Sequence, residues 1–190
     1  MENERDGDEI RALQQVVSAY YHYKEYALAE YWKPRVVRWN SLTEAQKKMV
    51  PWYAGYLEEL NSCIETNSQF FRSVAMQAVS DWGCDPNPDN WYKPSCMDMD
   101  KTISMFTQLV REWSGECVEE RKLLMERLLP FLNKSFSADL RPQTKILVPG
   151  AGLARLVVDL VKEGFQVQGN EMSYHMLLLS RYILNGGISK

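Results

Sequence analysis

A helical N-terminal region followed by the opening of a parallel α/β sheet is the architecture this sequence predicts, and three observations predict it. From Glu9 to Asn133 apolar positions recur at helical spacing. At Lys145-Ile146-Leu147-Val148-Pro149 the pattern changes to a short apolar strand that runs into Gly150-Ala151-Gly152. A second strand, Phe165–Gly169, then ends beside a carboxylate, Glu171, 19 residues after Gly152. Strand, glycine turn, helix, strand and acid in that order open a Rossmann-like α/β domain.

Residues 1–8 are acidic and polar and read as a disordered tail. From Glu9 to about Trp32, Ile10, Leu13, Val17, Tyr20 and Tyr21 mark one helical face, and Pro34 is expected to end or kink that helix. Ser41-Leu42-Thr43-Glu44 reads as a capping box with Ser41 as the cap. A longer helix is expected over Trp52–Trp82, with Leu57, Leu60, Ile64, Phe71, Val74 and Ala78 facing inward. The aromatic residues along these helices read as packing core rather than a ligand cage.

Asp81–Asp98 holds three prolines, two asparagines and a glycine, which marks a loop and an internal boundary. Helix returns over about Met99–Trp113, pauses at Ser114-Gly115 and resumes over Glu116–Asn133, where Pro130 should disturb the last turn. Lys134–Thr144 is a polar linker, followed by strand Lys145–Pro149, helix Leu153–Glu163, strand Phe165–Gly169 and helix Ser173–Asn185. The division expected is a tail at 1–8, a helical region at 9–133 and an incomplete Rossmann-like domain at 145–190.

Composition narrows the function classes. The chain has 190 residues and 45% hydrophobic content, with six tryptophans and ten tyrosines, enough for a core. A net charge of −3 gives no global attraction to nucleic acid or to anionic membrane. Cys63, Cys84, Cys96 and Cys117 form no C-x-x-C pair, and only His22 and His175 could join them, so no metal site is expected. Reduced thiols in a cytoplasmic protein, with the nucleus also open, are the simpler reading. The N-terminus lacks the apolar core of a signal peptide, and no apolar run reaches the ~18 residues of a membrane span.

Glycines at a strand-to-helix turn permit positive φ and close approach of backbone to ligand. The helix that follows offers unpaired N–H groups, and an acid at the tip of the second strand can accept both ribose hydroxyls of an adenosine ligand. Spacing separates two cofactor classes. A dinucleotide turn needs Gly or Ala where this chain has Arg155, which disfavours a nicotinamide-binding fragment. A G-x-G-x-A turn ending at Ala154 is similar to that of S-adenosylmethionine (SAM) methyltransferases. A solvated glutamate beside an ordinary turn is the plainer alternative.

Within Lys145–Asn185, the strings Leu147-Val148-Pro149-Gly150-Ala151-Gly152-Leu153, Gln168-Gly169-Asn170-Glu171, Ser173 and Met176-Leu177 closely resemble the carnosine N-methyltransferase family. Pro149 before the first glycine, and the lack of an acid at position 148, are typical of it. Upstream, Asp98-Met99-Asp100-Lys101, the run Gln108-Leu109-Val110-Arg111-Glu112-Trp113-Ser114 and Glu120-Arg121 look similar too. Tyr23-Lys24 and Leu42–Pro51 match more loosely, so the resemblance covers residues 10–185.

The resemblance implies SAM as cofactor, methyl transfer to the imidazole of carnosine or a related histidine-containing peptide to give anserine-type products, and a class I methyltransferase fold. It assigns cofactor binding to Gln108, Arg111, Gly150 and Glu171. Arg111 suits a bidentate grip on the methionine carboxylate, and Gln108, three residues away, shares its helix face. Ala154 departs from a glycine usual in the family, mildly because alanine is small. His175 reads as a helix residue beside the site rather than a base. The family's peptide-binding and catalytic Asp, His and Tyr belong to a later part of the domain, so no catalytic residue is assigned. A chain shortened at its C-terminal end and without turnover of its own is the expectation. The family also implies a homodimer through the N-terminal helices, and the alternative function is a non-catalytic helical dimerisation or interaction module.

Overall fold

The computed structural model describes residues 2–185, with side chains described from residue 7 on. The chain divides into two compact units, residues 1–102 and 103–190.

The first unit is helical. Helix α1 spans Glu2–Tyr21, so helix begins ahead of the Glu9 suggested by the sequence. An acidic stretch at a helix start is compatible with the macrodipole, which explains why polarity alone does not exclude helix there. Leu13, Val16, Val17 and Tyr20 are buried along α1, whereas Ile10 is exposed. A short helix α2, Tyr23–Ala27, continues into a π turn at Leu28–Trp32 and then into α3, Lys33–Asn40. Pro34 occupies the first turn of α3, where its missing N–H costs little. The sequence expected an end or a kink, and the chain passes through the π turn into α3 without leaving helix.

The next cap lies two residues beyond the one expected. Thr43, not Ser41, caps helix α4 (Glu44–Met49). Its Oγ1 accepts from the Gln46 N–H at 3.3 Å, and Gln46 Oε1 accepts from the Thr43 N–H at 2.9 Å. Ser41 instead closes α3, its hydroxyl donating to the Arg38 carbonyl at 2.8 Å. Both residues cap; the reciprocal Gln46 decides which one starts a helix.

Helix α5, Tyr53–Trp82, is the backbone of the first unit and buries Leu57, Ile64, Phe71, Val74, Ala75 and Ala78. Phe71 is fully buried between Tyr20 and Tyr23, with ring centroids 4.9 and 5.1 Å away. These aromatics are core, as expected. A second group, Trp39, Trp52, Tyr53 and Tyr56, stacks nearer the surface, and Trp52 is 63% exposed.

Helix α6, Cys96–Trp113, starts at a reciprocal cap in which Ser95 Oγ accepts from the Asp98 N–H and Asp98 Oδ2 accepts from the Ser95 N–H. Helix α7, Val118–Ser135, contains Pro130 and continues beyond it. Leu132 beyond the proline, with Leu128 before it, packs into the core of the second unit, and that burial carries the helix past a residue that would otherwise end it.

Strands β1 (Lys145–Pro149) and β2 (Gln166–Asn170) pair in parallel, Lys145 opposite Gln166 through Pro149 opposite Asn170. Helix α8, Arg155–Lys162, crosses between them, and α9, Tyr174–Leu184, follows β2. Ile146, Val148 and Val167 turn inward on Leu132, Leu156, Leu160, Phe165 and Phe136, so one sheet face lies against α7 and α8. Leu147, on the opposite face, is 60% exposed. A mostly helical N-terminal region followed by two parallel strands and their helices is thus the start of a Rossmann-like domain. All four cysteines are free thiols. No helix among the described residues is long and apolar enough to cross a membrane.

Two truncations separate core from cap. Phe71→Ala removes a fully buried ring and is expected to cost about 3–5 kcal/mol, whereas Thr43→Ala removes one exposed cap and should cost about 1 kcal/mol. Urea denaturation followed by circular dichroism measures both; equal losses would contradict the packing described.

Candidate functional site

The end of β1 turns sharply because Gly150 and Gly152 adopt φ +63° and +58°. Nothing lies within 4 Å of where a Gly150 side chain would begin, so this glycine serves the turn and leaves an open approach to the backbone. A Gly152 Cβ, by contrast, would meet Glu112 Oε1 at 2.7 Å. Gly169 on β2 has the third special role. A Cβ there would come within 2.9 Å of Ala151 and 3.0 Å of Val157, so its absence lets β2 close onto the turn and α8.

Ala154 sits at φ +65°, the one described non-glycine residue with positive φ. Size was the reason the sequence offered for tolerating alanine here. The structure makes the cost conformational instead, about 1–2 kcal/mol for an L-residue in the left-handed region. Arg155 lies over the Trp113 ring at 5.3 Å and donates from Nε to both Asp159 carboxylate oxygens at 3.0 Å.

Glu171 arrives at the turn from the end of β2. Its Oε2 accepts from the Gly152 N–H at 3.0 Å, and its Oε1 from the Met172 and Ser173 N–H groups at 2.8 and 2.9 Å. Partial burial raises the pKa of this carboxyl, but the three backbone donors outweigh it and hold the group below the ordinary glutamate value. Gly150 and Glu171 are therefore brought to one turn.

Glu112 joins them, unassigned from the sequence. Its Oε1 accepts from the Leu153 N–H at 3.1 Å and its Oε2 from the Arg155 N–H at 3.4 Å. The next side chain, Trp113, donates from Nε1 to the Leu153 carbonyl at 3.1 Å. Burial pushes the Glu112 pKa up, against the two backbone donors and Arg111, with Glu171 adding to the rise. Glu112 stood inside the Gln108–Ser114 run, but nothing local distinguishes it from a solvated helix glutamate.

Arg111 is not drawn into this cluster. It is exposed and paired with Glu120 at 2.8 Å, while its carbonyl accepts from Arg121 Nη1 at 2.7 Å. Gln108 lies half-buried one turn earlier on α6. A cavity of about 200 Å³ opens beside the turn, lined by Glu112, Arg121, Met125, Gly150, Gly152 and Arg155 among others. His175 is buried in α9, which agrees with its reading as a helix residue.

Comparison with known proteins decides what this geometry belongs to. The family model described as carnosine N-methyltransferase matches residues 88–190, the part that contains every residue of the turn. The chain belongs to the carnosine N-methyltransferase family. It is 34% identical to the carnosine N-methyltransferase of Schizosaccharomyces pombe over 96% of this chain and 50% of that protein. To the Rattus norvegicus enzyme it is 32% identical over 78% of this chain and 38% of the relative. The Dictyostelium discoideum enzyme is 30% identical over 93% of this chain and 42% of its own length. The chain thus spans half or less of the curated relatives it matches.

Two outcomes follow from the turn. Ala154→Gly relieves the left-handed strain at some cost in unfolded-chain entropy, and should raise stability by about 0.5–1 kcal/mol in urea denaturation. The pKa values of the two acids are shifted in opposite directions. A lowered folded pKa means that the Glu171 contribution is complete above the unfolded glutamate pKa and fades as pH falls through the folded value. For Glu112, raised by burial, the contribution is complete below the unfolded value and fades as pH rises through the folded one. Carboxyl-carbon NMR titration should therefore find Glu112 protonating at higher pH than Glu171; the reverse order would contradict the assignment.

Proposed function

We propose that this chain supplies the SAM-binding part of an N-methyltransferase whose acceptor is the imidazole of carnosine or a related histidine-containing peptide. The observation that carries the reading is Glu171, fixed by three backbone N–H groups at the tip of β2 against a glycine turn whose backbone is open at Gly150. An adenosine group fits those residues. Glu171 Oε2 accepts a single backbone N–H and keeps a lone pair for a ribose hydroxyl, whereas Oε1 already accepts two.

When bound, SAM supplies an electrophilic methyl group on a sulfonium. The chain's own residues bind and orient. Gly150 gives close backbone approach, and Glu171 fixes the ribose. Arg111 exchanges its exposed Glu120 partner for the cofactor carboxylate, a bidentate contact that an arginine fork favours. Gln108, on the same helix face, adds a neutral hydrogen bond. In such a displacement positioning supplies much of the rate. The residues that present the imidazole are not assigned in this chain.

Calorimetric titration of the 1–190 chain with S-adenosylhomocysteine tests the reading. Micromolar binding is expected, weakened by at least about tenfold in Glu171→Ala and in Arg111→Ala, the worth of a charge-assisted contact. A chain with intact helical circular dichroism and no binding would leave the alternative function, a non-catalytic helical interaction module.

A further inference from the structure

Glu112 brings a carboxylate to the place where nucleotide-binding turns of this shape hold a phosphate. In a dinucleotide site the second glycine of the turn admits the pyrophosphate, which rests on the N–H groups at the start of the following helix. Here the space beside Gly152 is filled by Glu112 Oε1, 2.7 Å from an ideal Cβ. The Leu153 and Arg155 N–H groups are bonded to the two oxygens of the same carboxylate. Glu171 takes the neighbouring Gly152 N–H. Two acids from different elements thus cover the N–H groups of residues 152, 153 and 155.

The surrounding cations offset this charge only in part. Arg155 donates to both oxygens of Asp159, and Arg111 is paired with Glu120, so each has a carboxylate of its own. The Arg121 guanidinium donates to the neutral Arg111 and Ser114 carbonyls and keeps its charge at the cavity, one cation against the two acids at the turn. A diphosphate at the turn would face two carboxylates and find these backbone donors already used. A nucleoside without phosphates meets neither obstacle.

We propose that Glu112 is a specificity-determining positioning residue, an internal anion that holds the glycine turn in shape and excludes phosphate-bearing nucleotides from it. The inference rests on the adenosine site proposed above and adds the residue that selects among adenine ligands. Trp113 reinforces the positioning half, because it holds the Leu153 carbonyl while Glu112 holds the Leu153 N–H.

Adenosine and ADP differ only in the diphosphate, so their affinities for the 1–190 chain, measured by calorimetry, isolate the discrimination. The wild-type chain should favour adenosine strongly. Glu112→Gln keeps the side-chain shape and removes the charge, and should narrow the adenosine-to-ADP ratio by about tenfold or more. Amide hydrogen exchange at Leu153 and Arg155 should speed up in the same variant. Glu112→Asp, with the charge kept and the reach shortened, should speed exchange at Arg155 while holding the ratio within about twofold of wild type.

A folded Glu112→Gln chain with an unchanged ratio overturns the proposal. So does a ratio that narrows equally in Glu112→Asp, since the effect would then come from packing rather than charge. A wild-type chain that binds neither adenosine nor S-adenosylhomocysteine overturns the cofactor reading itself, and the discrimination with it. Failure of Glu112 alone is distinguishable as intact binding with no loss of discrimination.

Discussion

The turn between β1 and α8 exposes a run of backbone N–H groups that strand pairing has finished with and helix bonding has not yet reached. Such donors must find acceptors or lose their hydration for nothing. Here they find two carboxylates, Glu171 from the end of β2 and Glu112 from the end of α6. Much of the second unit depends on that solution. It ties α6 to the first strand and sets the direction in which α8 leaves. It also places both acids at Gly152 and leaves Gly150 open.

The grip on Leu153 shows how local the control is. Consecutive side chains of α6, Glu112 and Trp113, take its N–H and its carbonyl. Its own side chain is fully buried. One residue is therefore held at three points, while Gly150, five positions before α8 begins, is left with open space around it. Rigidity next to openness is what a binding turn requires, because a ligand then meets donors and acceptors that do not have to reorganise.

The parts of this fold legible in the sequence are those decided within a few residues. Five-residue strands bounded by proline, glycine or a carboxylate stand out, and β1 and β2 lie within a residue of where their patterns put them. The glycine turn and the arrival of Glu171 beside it were legible because a strand–turn–helix–strand unit fixes their spacing. Cap assignment was harder, since Ser41 and Thr43 both offer a hydroxyl and only Gln46, in reach of Thr43, breaks the tie. Proline is legible only in part. Pro130 reads as a disturbance of the last turn, and the sequence alone does not show that Leu132 beyond it is buried. Glu112 was not legible at all: its partners lie 41 and 43 positions away, and periodicity carries no information over that distance. The strain at Ala154 was hidden for a related reason, because a sequence shows the size of a side chain but not the sign of φ.

The π turn at Leu28–Trp32 carries a consequence for how this chain can change. A π turn holds one residue more than an α turn needs to close, so it is a helix with a spare position. Losing one residue from that segment would restore regular α geometry without breaking the chain's course. The residue lost would be the one the wider turn carries in excess, so the positions after it keep their face. Trp39, which lies beyond the turn on α3 and stacks on Tyr53, would stay on the same side of the helix. A one-residue deletion in a regular stretch of helix would instead turn all that follows by about 100°. The π turn is therefore the place where this helical run can change length by a single codon without re-aiming the aromatic surface of the first unit.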